Sequence, residues 1–306
     1  MATATRADTL PARMPGKPRD SKPTGYVEYF GMQRMPFDTA PNPDFAYATR
    51  AHEIALLRMQ DSVEQQMGLA LLKGDIGTGK STLAHLLTQT WAEEPDRYRV
   101  ALIDDPSAYT PAQFMRLLVG AFGLEASRYV QVNKDLFRGF LLDEYEAGRT
   151  VVVLLDEAQT ISAPNMATLL YLSNLQTATT KLVQIALLAL PNFDRKLSYQ
   201  PALSSRIATR GTLDPLIAAD TVDMMRHRVT VAGGSFERLF PEETRRPIWH
   251  ATRGVPRKIC VLGHNVLFNA YARGLPGADL DCVVQAAKDC EFDIDVTVGT
   301  GMEDEK

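Results

Sequence analysis

One octapeptide constrains the fold of this chain more than any other feature. Residues 74–81 read Gly-Asp-Ile-Gly-Thr-Gly-Lys-Ser, which is the phosphate-binding pattern G-x-x-x-x-G-K-S/T. The apolar run 68–73 before it is typical of a buried strand, and residues 82–91 after it have the helical spacing of apolar side chains. The alternative is a glycine-rich turn with an incidental lysine, but such a turn would not need a strand before it and a helix after it. Strand, loop and helix together predict an α/β fold.

The loop also predicts a ligand. Its glycines allow backbone N–H groups to turn inward around the β- and γ-phosphates, and the helix that follows adds the positive end of its dipole. Lys80 would bring a positive charge to the phosphate oxygens, and the Ser81 hydroxyl would hold Mg²⁺. The sequence therefore predicts ATP and Mg²⁺ as cofactors. The residues of this segment predicted to bind the nucleotide are Gly74, Asp75, Ile76, Gly77, Thr78, Gly79, Lys80, Ser81 and Thr82.

A second segment supplies carboxylates. Val151 to Leu155 is a wholly apolar strand that ends in Asp156 and Glu157. The C-termini of parallel strands meet at the edge of the sheet where ligands bind, so we expect both side chains beside the phosphate loop. Asp156 would hold Mg²⁺ through water, and Glu157 would polarise the attacking water. A solvated acidic strand end is the alternative, which the presence of the loop disfavours.

Three arginines are candidates for the rest of the site. Phosphoryl transfer spreads negative charge over the γ-phosphate oxygens, and an arginine from a neighbouring subunit can stabilise that charge. Arg206 follows the fourth predicted core strand, where such a residue is expected, and Arg210 is a weaker candidate. Either is explained equally well as a surface charge. Arg257 opens a later helix and would reach back to the γ-phosphate.

The composition is that of a soluble globular protein, with 306 residues of which 45% are hydrophobic and 23% charged. The net charge of −4 gives no overall basic field for nucleic acid. We expect a cytoplasmic protein without direct membrane insertion, because no apolar run could span a bilayer and the N-terminus lacks a signal-peptide segment. The three cysteines have no metal-ligand spacing, so free buried thiols are expected.

Four segments are predicted along the chain. Residues 1–25 form a disordered leader, whose five basic and two acidic residues either remain solvated or touch nucleic acid. Residues 26–215 alternate strands with helices, so we expect a nucleotide-binding core around a parallel sheet. Residues 216–290 lack strand signals and are expected to form a small helical domain. Residues 291–306 hold six acidic residues and one basic residue, which predicts a disordered tail.

Local signals place individual elements within the core. The proline-punctuated aromatic stretch from Tyr26 to Phe45 cannot be a regular helix and is expected to wrap onto a surface. Thr110 begins a capping box with proline at the first helical position. Asn133 is expected to cap the next helix, and residues 183–190 are expected to form a buried strand.

Several short segments carry a resemblance to a known family. They are Tyr29-Phe30-Gly31, Pro36-Phe37, Pro41-Asn42-Pro43-Asp44-Phe45, Asp156-Glu157-Ala158-Gln159, Leu172-Ser173-Asn174-Leu175, Lys181-Leu182-Val183-Gln184-Ile185, Ser205-Arg206-Ile207 and Gly254-Val255-Pro256-Arg257. In these segments the chain resembles the AAA+ ATPases of the ExeA type, which overlap with the transposition ATPases TnsC and TniB. The resemblance covers about residues 29–269. It implies an AAA+ core with a helical lid and ATP bound between neighbouring subunits of a homo-oligomeric ring or filament. It also implies that Arg206 is the arginine finger and Arg257 is sensor 2.

Two departures from that family bear on function. Its members have Gly-Gln-Pro-Glu-Leu after the fourth core strand, whereas this chain has Ala-Leu-Pro-Asn-Phe at 189–193. Leu190 thus replaces the polar sensor 1 unless Asn192 substitutes for it, and slow or partner-dependent hydrolysis is expected. ExeA secretion proteins continue into a membrane span and a peptidoglycan-binding domain. This chain ends before such segments, which disfavours an envelope role.

Three functions are consistent with the residues and the resemblance. The first is a soluble AAA+ ATPase that oligomerises with ATP and acts as a switch on double-stranded DNA, with a transposase or another protein as partner. The second is an ATPase for envelope or secretion assembly that works through a separate membrane partner. The third, motivated by Leu190, is a nucleotide-binding scaffold with almost no hydrolysis.

Overall fold

The computed structural model describes residues 25–40, 42–108 and 110–293. Its strands are β1 Leu69–Gly74, β2 Tyr98–Ile103, β3 Thr150–Leu155, β4 Val183–Ala189 and β5 Ile207–Leu213. They form one five-stranded sheet in the order β2-β3-β4-β1-β5, with every pair parallel. The predicted parallel α/β sheet is confirmed, and β1 lies between the central strand β4 and the edge strand β5.

Helices cover both faces of this sheet. On β1, Leu69 and Leu71 face a cluster that includes the helices at 111–121, 130–146 and 163–173, whereas Ala70 and Leu72 face a cluster that includes the helices at 50–64 and 80–92. This alternation is the two-residue period of a strand buried on both sides. The helices are α1 Tyr26–Tyr29, α2 Arg50–Glu64, α3 Lys80–Ala92, α4 Pro111–Ala121, α5 Val130–Glu146, α6 Ala163–Ser173, α7 Phe193–Ser198, α8 Pro201–Ser204, α9 Ala218–Val231, α10 Phe236–Leu239, α11 Glu242–Thr252, α12 Pro256–Ala272 and α13 Leu280–Asp289.

Strand β5 is absent from the sequence predictions. It pairs with β1 at the edge of the sheet, with Leu69 opposite Ile207 and Gly74 opposite Leu213. Several of its side chains remain exposed, so its sequence contains threonine, arginine and glycine where β3 and β4 have apolar runs. An edge strand that is half exposed does not need the continuous apolar pattern by which the buried strands were recognised.

One predicted helix cap is confirmed and one is wrong. The Thr110 hydroxyl accepts a hydrogen bond from the Gln113 N–H at 3.2 Å, and Gln113 Oε1 accepts one from the Thr110 N–H at 3.1 Å. Asn133 does not cap α5, which begins at Val130. Its buried side chain instead accepts from the Ser127 N–H at 2.7 Å and donates to the Ser127 carbonyl at 2.9 Å. The asparagine therefore fastens the preceding loop to the helix.

The segment 26–45 packs elsewhere than predicted. The sequence predicts that it belongs to the core 26–215, but its aromatic side chains Tyr26, Phe30, Phe37 and Phe45 are buried in the apolar cluster of α9 to α13, here called the helical unit. Arg228 on α9 fixes the segment by donating to the carbonyls of Pro36 and Asp38, both at 2.8 Å. The reason for the difference is burial, since the helical unit offers an apolar surface that the covered sheet does not.

Some predictions lie largely outside the described residues, namely the leader 1–25 and the tail 291–306. Within the described residues, no helix is both long enough and apolar enough to cross a membrane. Cys260 and Cys282 are buried free thiols, and Cys290 is a partly exposed free thiol.

The junction between the core and the helical unit depends on one glycine. Gly254 has a φ of +67°, and its carbonyl accepts a hydrogen bond from the Leu216 N–H at 2.8 Å. A Cβ atom at this position would lie 1.9 Å from the Leu216 carbonyl oxygen. A side chain at position 254 would therefore force the backbone of the junction apart.

We expect Gly254→Ala to lower the free energy of unfolding by more than about 2 kcal/mol, because the methyl group adds a backbone clash to a left-handed conformation. Gly139→Ala is the matched control. Gly139 lies inside α5 with open space at its Cβ position, so alanine should stabilise the helix by about 0.5–1 kcal/mol. Urea unfolding measures both differences. Equal stability of the two variants would contradict this role for Gly254.

Candidate functional site

The loop 74–81 has the conformation that its glycines predict. It joins β1 to α3, and Gly77 and Gly79 have φ values of +83° and +103°. Residues with a side chain rarely adopt such positive φ values, so glycine is required at both positions. The Thr78 hydroxyl donates to the Asp75 carbonyl at 2.9 Å, which closes the loop. The glycine conformations and this hydrogen bond together define the shape of the loop.

Lys80 lies at the start of α3 with 5% of its surface exposed. Its ammonium donates hydrogen bonds to the carbonyls of Gly74 at 2.8 Å and Asp75 at 2.9 Å. Burial lowers the pKa of Lys80, while the charges of Glu157 and Asp156 oppose that change. A phosphate oxygen at this position would offer the buried ammonium a charged partner that the two carbonyls do not provide.

The helical unit touches the loop directly. The Arg257 N–H donates to the Gly77 carbonyl at 3.2 Å. A Cβ atom at Gly77 would lie 2.7 Å from Arg257 Cβ and 3.2 Å from Val255 Cγ1. Gly77 is thus needed for the close approach of α12 as well as for its own backbone conformation.

His52 is a residue of the site that the sequence analysis missed. Its Nε2 donates to the Thr78 carbonyl at 3.1 Å, and its Nδ1 lies 2.8 Å from the Thr49 hydroxyl. The ring also lies where a side chain at Gly79 would be, 3.2 Å from that Cβ position. A histidine on the polar side of α2 carries no motif, so only the packing of α2 against the loop identifies it.

The two acidic residues follow β3 as predicted. Asp156 has 4% of its surface exposed, and its carboxylate accepts a hydrogen bond from the Glu157 N–H at 2.8 Å. Glu157 has a φ of +49°, which is uncommon for a residue other than glycine. This turn brings Glu157 into the lining of the cavity beside the loop. The carboxylates and the loop thus meet at one edge of the sheet.

The oxygen ligands suit Mg²⁺. Ser81 lies in the exposed first turn of α3 and Asp156 at the end of β3, and both offer the oxygen atoms that Mg²⁺ prefers. Across the described residues, no group of three or more His, Cys, Asp or Glu side chains could hold a metal ion.

A cavity of about 370 Å³ joins these parts and draws residues from three regions of the chain. Arg228 and the segment 38–45 were not predicted to be near the loop, because they are distant in sequence and belong to no motif. A smaller, mostly apolar cavity of about 120 Å³ adjoins it. The residues lining the larger cavity are Asp38, Thr39, Ala40, Asn42, Phe45, Ala46, Ile76, Gly77, Gly79, Lys80, Ser81, Thr82, Glu157, Met224, Arg228, Pro256, Arg257 and Cys260.

Arg206 lies far from the loop of its own chain. It precedes β5, whose first residue pairs with the first residue of β1, whereas the loop follows the last residue of β1. The strand separates them by about 20 Å at about 3.3 Å per residue. Arg206 is exposed, and its guanidinium has no hydrogen-bond or ion-pair partner in the described part of the chain. Arg210 instead donates to the Ser204 carbonyl and hydroxyl, both at 3.0 Å.

Leu190 directly follows β4, and Asn192 lies two residues further along the chain. Asn192 is exposed and is not among the residues that line the cavity. The Leu190 backbone N–H, however, donates a hydrogen bond to the Gln159 side chain at 3.0 Å. The Gln159 side chain therefore lies beside the backbone that follows β4.

Residues 63–197 match the model of a family described as AAA domain. Over 254 residues the chain is 32% identical to General secretion pathway protein A of Aeromonas hydrophila, and the match covers 81% of this chain and 45% of that protein. The chain thus spans less than half the length of this curated relative.

Solved structures show the same architecture. The Aeropyrum pernix ORC2 protein in ADPNP-ADP complexes has 18% identity and a TM-score of 0.63, covering 85% of this chain and 72% of that chain. Drosophila ORC bound to DNA has 15% identity and a TM-score of 0.66, covering 94% and 71%. The Thermotoga maritima RuvB Holliday junction branch migration motor has 15% identity and a TM-score of 0.54, covering 80% and 73%. With the parallel sheet, these matches show a P-loop AAA fold.

We expect Lys80→Ala to abolish ATP binding, because the buried ammonium beside the loop is lost together with its charge-assisted hydrogen bonds to the phosphate oxygens. Titration with a fluorescent ATP analogue measures the loss. Lys258→Ala is the control, since Lys258 lies on α12 one residue after Arg257 but does not line the cavity. Unchanged affinity in Lys80→Ala would refute the assignment of the loop.

Proposed function

We propose that this protein is an ATP-hydrolysing switch of the AAA+ type. The observation that carries the proposal is the meeting of Lys80, Glu157 and Arg257 around one cavity at the edge of the sheet. The triphosphate of ATP would lie in the loop, and the smaller apolar cavity beside it suits the adenine ring. Arg257 comes from the helical unit, so the same ligand would touch both parts of the protein.

The residues divide the chemistry among them. Glu157 would accept a proton from, and orient, the attacking water, and Lys80 would hold the β- and γ-phosphate oxygens. Mg²⁺ at Ser81 and Asp156 would neutralise phosphate charge when bound. Arg257 would act as sensor 2, because its backbone already contacts the loop at Gly77.

The position of Arg206 supports an assembly. Its place at the opposite end of the strands prevents it from reaching the nucleotide of its own chain. It is exposed, and its guanidinium has no partner among the described residues, so it is available to a neighbour. A head-to-tail contact between identical subunits would bring this end to the next subunit's loop. We therefore propose a homo-oligomeric ring or filament in which Arg206 completes the neighbouring site.

We expect Glu157→Gln to retain ATP binding and to lose turnover by about 100-fold or more, because general base catalysis contributes roughly that much. Arg206→Ala should also lose turnover. A mixture of the two variants should recover activity, to about a quarter of wild type for random head-to-tail assembly. In the mixture, some interfaces combine an intact Glu157 with an intact Arg206 of the neighbour. Steady-state phosphate release measures all four samples.

Arg210→Ala is the matched control for Arg206, since it removes an exposed arginine of β5 whose guanidinium is already bound to Ser204. It should keep wild-type turnover. Wild-type turnover in Glu157→Gln would overturn the catalytic assignment. A mixture as inactive as its components would overturn the role of Arg206 in the neighbouring site.

For the work that the switch performs, we propose double-stranded DNA as the target, with a transposase or another protein as partner. The resemblance to TnsC and TniB supports this, as do the basic residues before position 25. The DNA-bound ORC structure is similar to this chain in fold alone, so it adds no support for DNA binding. A specific observation favours the alternative of envelope or secretion assembly, because the relative at 32% identity is a general secretion pathway protein.

We expect duplex DNA at low salt to raise both ATP turnover and particle size, because phosphate contacts are strongest at low ionic strength. Phosphate release and light scattering measure the two effects. A variant in which alanine replaces the basic residues of the leader should lose part of the rise in ATP turnover and part of the rise in particle size. No change with DNA, together with recovery of the protein in membrane pull-downs, would instead favour the envelope alternative. The leader bases are Arg6, Arg13, Lys17, Arg19 and Lys22.

A further inference from the structure

Gln159 joins two parts of the active-site edge that are distant in sequence. It lies in the short 3-10 turn Ala158–Thr160, directly after the acidic pair that follows β3. Its Nε2 donates a hydrogen bond to Glu157 Oε2. Its Oε1 accepts a hydrogen bond from the Leu190 N–H at 3.0 Å, at the end of β4. One side chain thus spans the gap between the acidic pair and the neighbouring strand.

The backbone of Gln159 is also held in place. The Lys196 ammonium on α7 donates to the carbonyls of Gln159 and Ile161, the second at 3.1 Å. Because main chain and side chain are both fixed, the amide has one available orientation. With Oε1 occupied by the N–H of Leu190, the NH₂ group must face Glu157, and an amide flip would lose both bonds.

The bridge has a consequence for Glu157. One carboxylate oxygen is bound to Gln159, while the residue lines the cavity, so Oε1 is left to accept a proton from water. Gln159 itself lines neither the larger cavity nor the smaller one. It therefore acts on the position of Glu157 without touching the nucleotide.

We propose that Gln159 is the positioning residue for Glu157, held in its own orientation by the Leu190 N–H. The Leu190 backbone N–H holds Gln159 Oε1, and this leaves the Gln159 NH₂ group directed at the Glu157 carboxylate. This inference rests on the proposed ATPase function. It predicts that hydrolysis persists despite an apolar residue at the end of β4, because the polar contact is supplied by the adjacent turn.

The test uses full-length Gln159→Met, which keeps the length of the side chain and removes both hydrogen bonds. We expect kcat to fall by about 10-fold, less than the loss from removing the base itself, with the Kd for ATP changed by less than about twofold. In a Glu157→Gln background, Gln159→Met should change single-turnover hydrolysis by less than about twofold, since no carboxylate remains to be positioned. Additive losses in the double variant would overturn the inference.

A second variant separates positioning from packing. Gln159→Glu keeps an acceptor for the Leu190 N–H but replaces the donor facing Glu157 with another carboxylate, so kcat should fall as in Gln159→Met. Wild-type kcat in Gln159→Glu would show that the Leu190 contact alone matters and would overturn the inference. Gln131→Met is the control, because that exposed amide on α5 donates a hydrogen bond to Asp135 at 3.0 Å and has no other hydrogen bond within the described residues. It should keep wild-type kcat.

The proposed ATPase function and the role of Gln159 can be disproved separately. If Glu157→Gln hydrolyses ATP at the wild-type rate, the proposed function is wrong and the role of Gln159 falls with it. If Glu157→Gln blocks turnover while Gln159→Met retains full kcat and a normal thermal midpoint, only the inference about Gln159 is wrong.

Discussion

The parallel pairing of β1 with β4, and of β4 with β3, is the constraint on which the site depends. Lys73 lies opposite Ala189, and Leu155 lies opposite Leu187. Because all three strands run in the same direction, the phosphate loop, the acidic pair and the end of β4 meet at one edge. An antiparallel arrangement of the same segments would place them at opposite edges, and no cavity would combine them.

The helical unit forms one wall of the site because its helix α12 packs directly against the phosphate loop. The start of α12 approaches Gly77 so closely that no side chain fits there. The segment 26–45 is anchored on the same unit through Arg228, and part of it lines the cavity. A nucleotide in the cavity would therefore touch the core and the helical unit at once. A ligand shifts the relative position of two parts only when it binds one arrangement more tightly than another, and contacts to both parts provide such a difference.

Most of the sheet could be predicted because β1, β3 and β4 are buried on both faces and must be apolar. β5 could not, because an edge strand has one free side and a mixed sequence. The error at Asn133 has a related cause. A capping pattern describes a local backbone, whereas the amide was used to bind Ser127 in the preceding loop. His52 and Arg228 could not be found either, because their importance comes from packing between distant segments.

By itself, the sequence determined the phosphate loop, the acidic pair after β3 and the α/β fold class. Each depends on neighbouring residues whose spacing is dictated by backbone geometry. The tertiary structure alone decided that Arg206 lies at the far end of the strands from its own loop, that the segment 26–45 belongs with the helical unit, and that Gln159 bridges Glu157 and Leu190. These relations join residues far apart in the chain, and only strand order and packing bring such residues together or hold them apart.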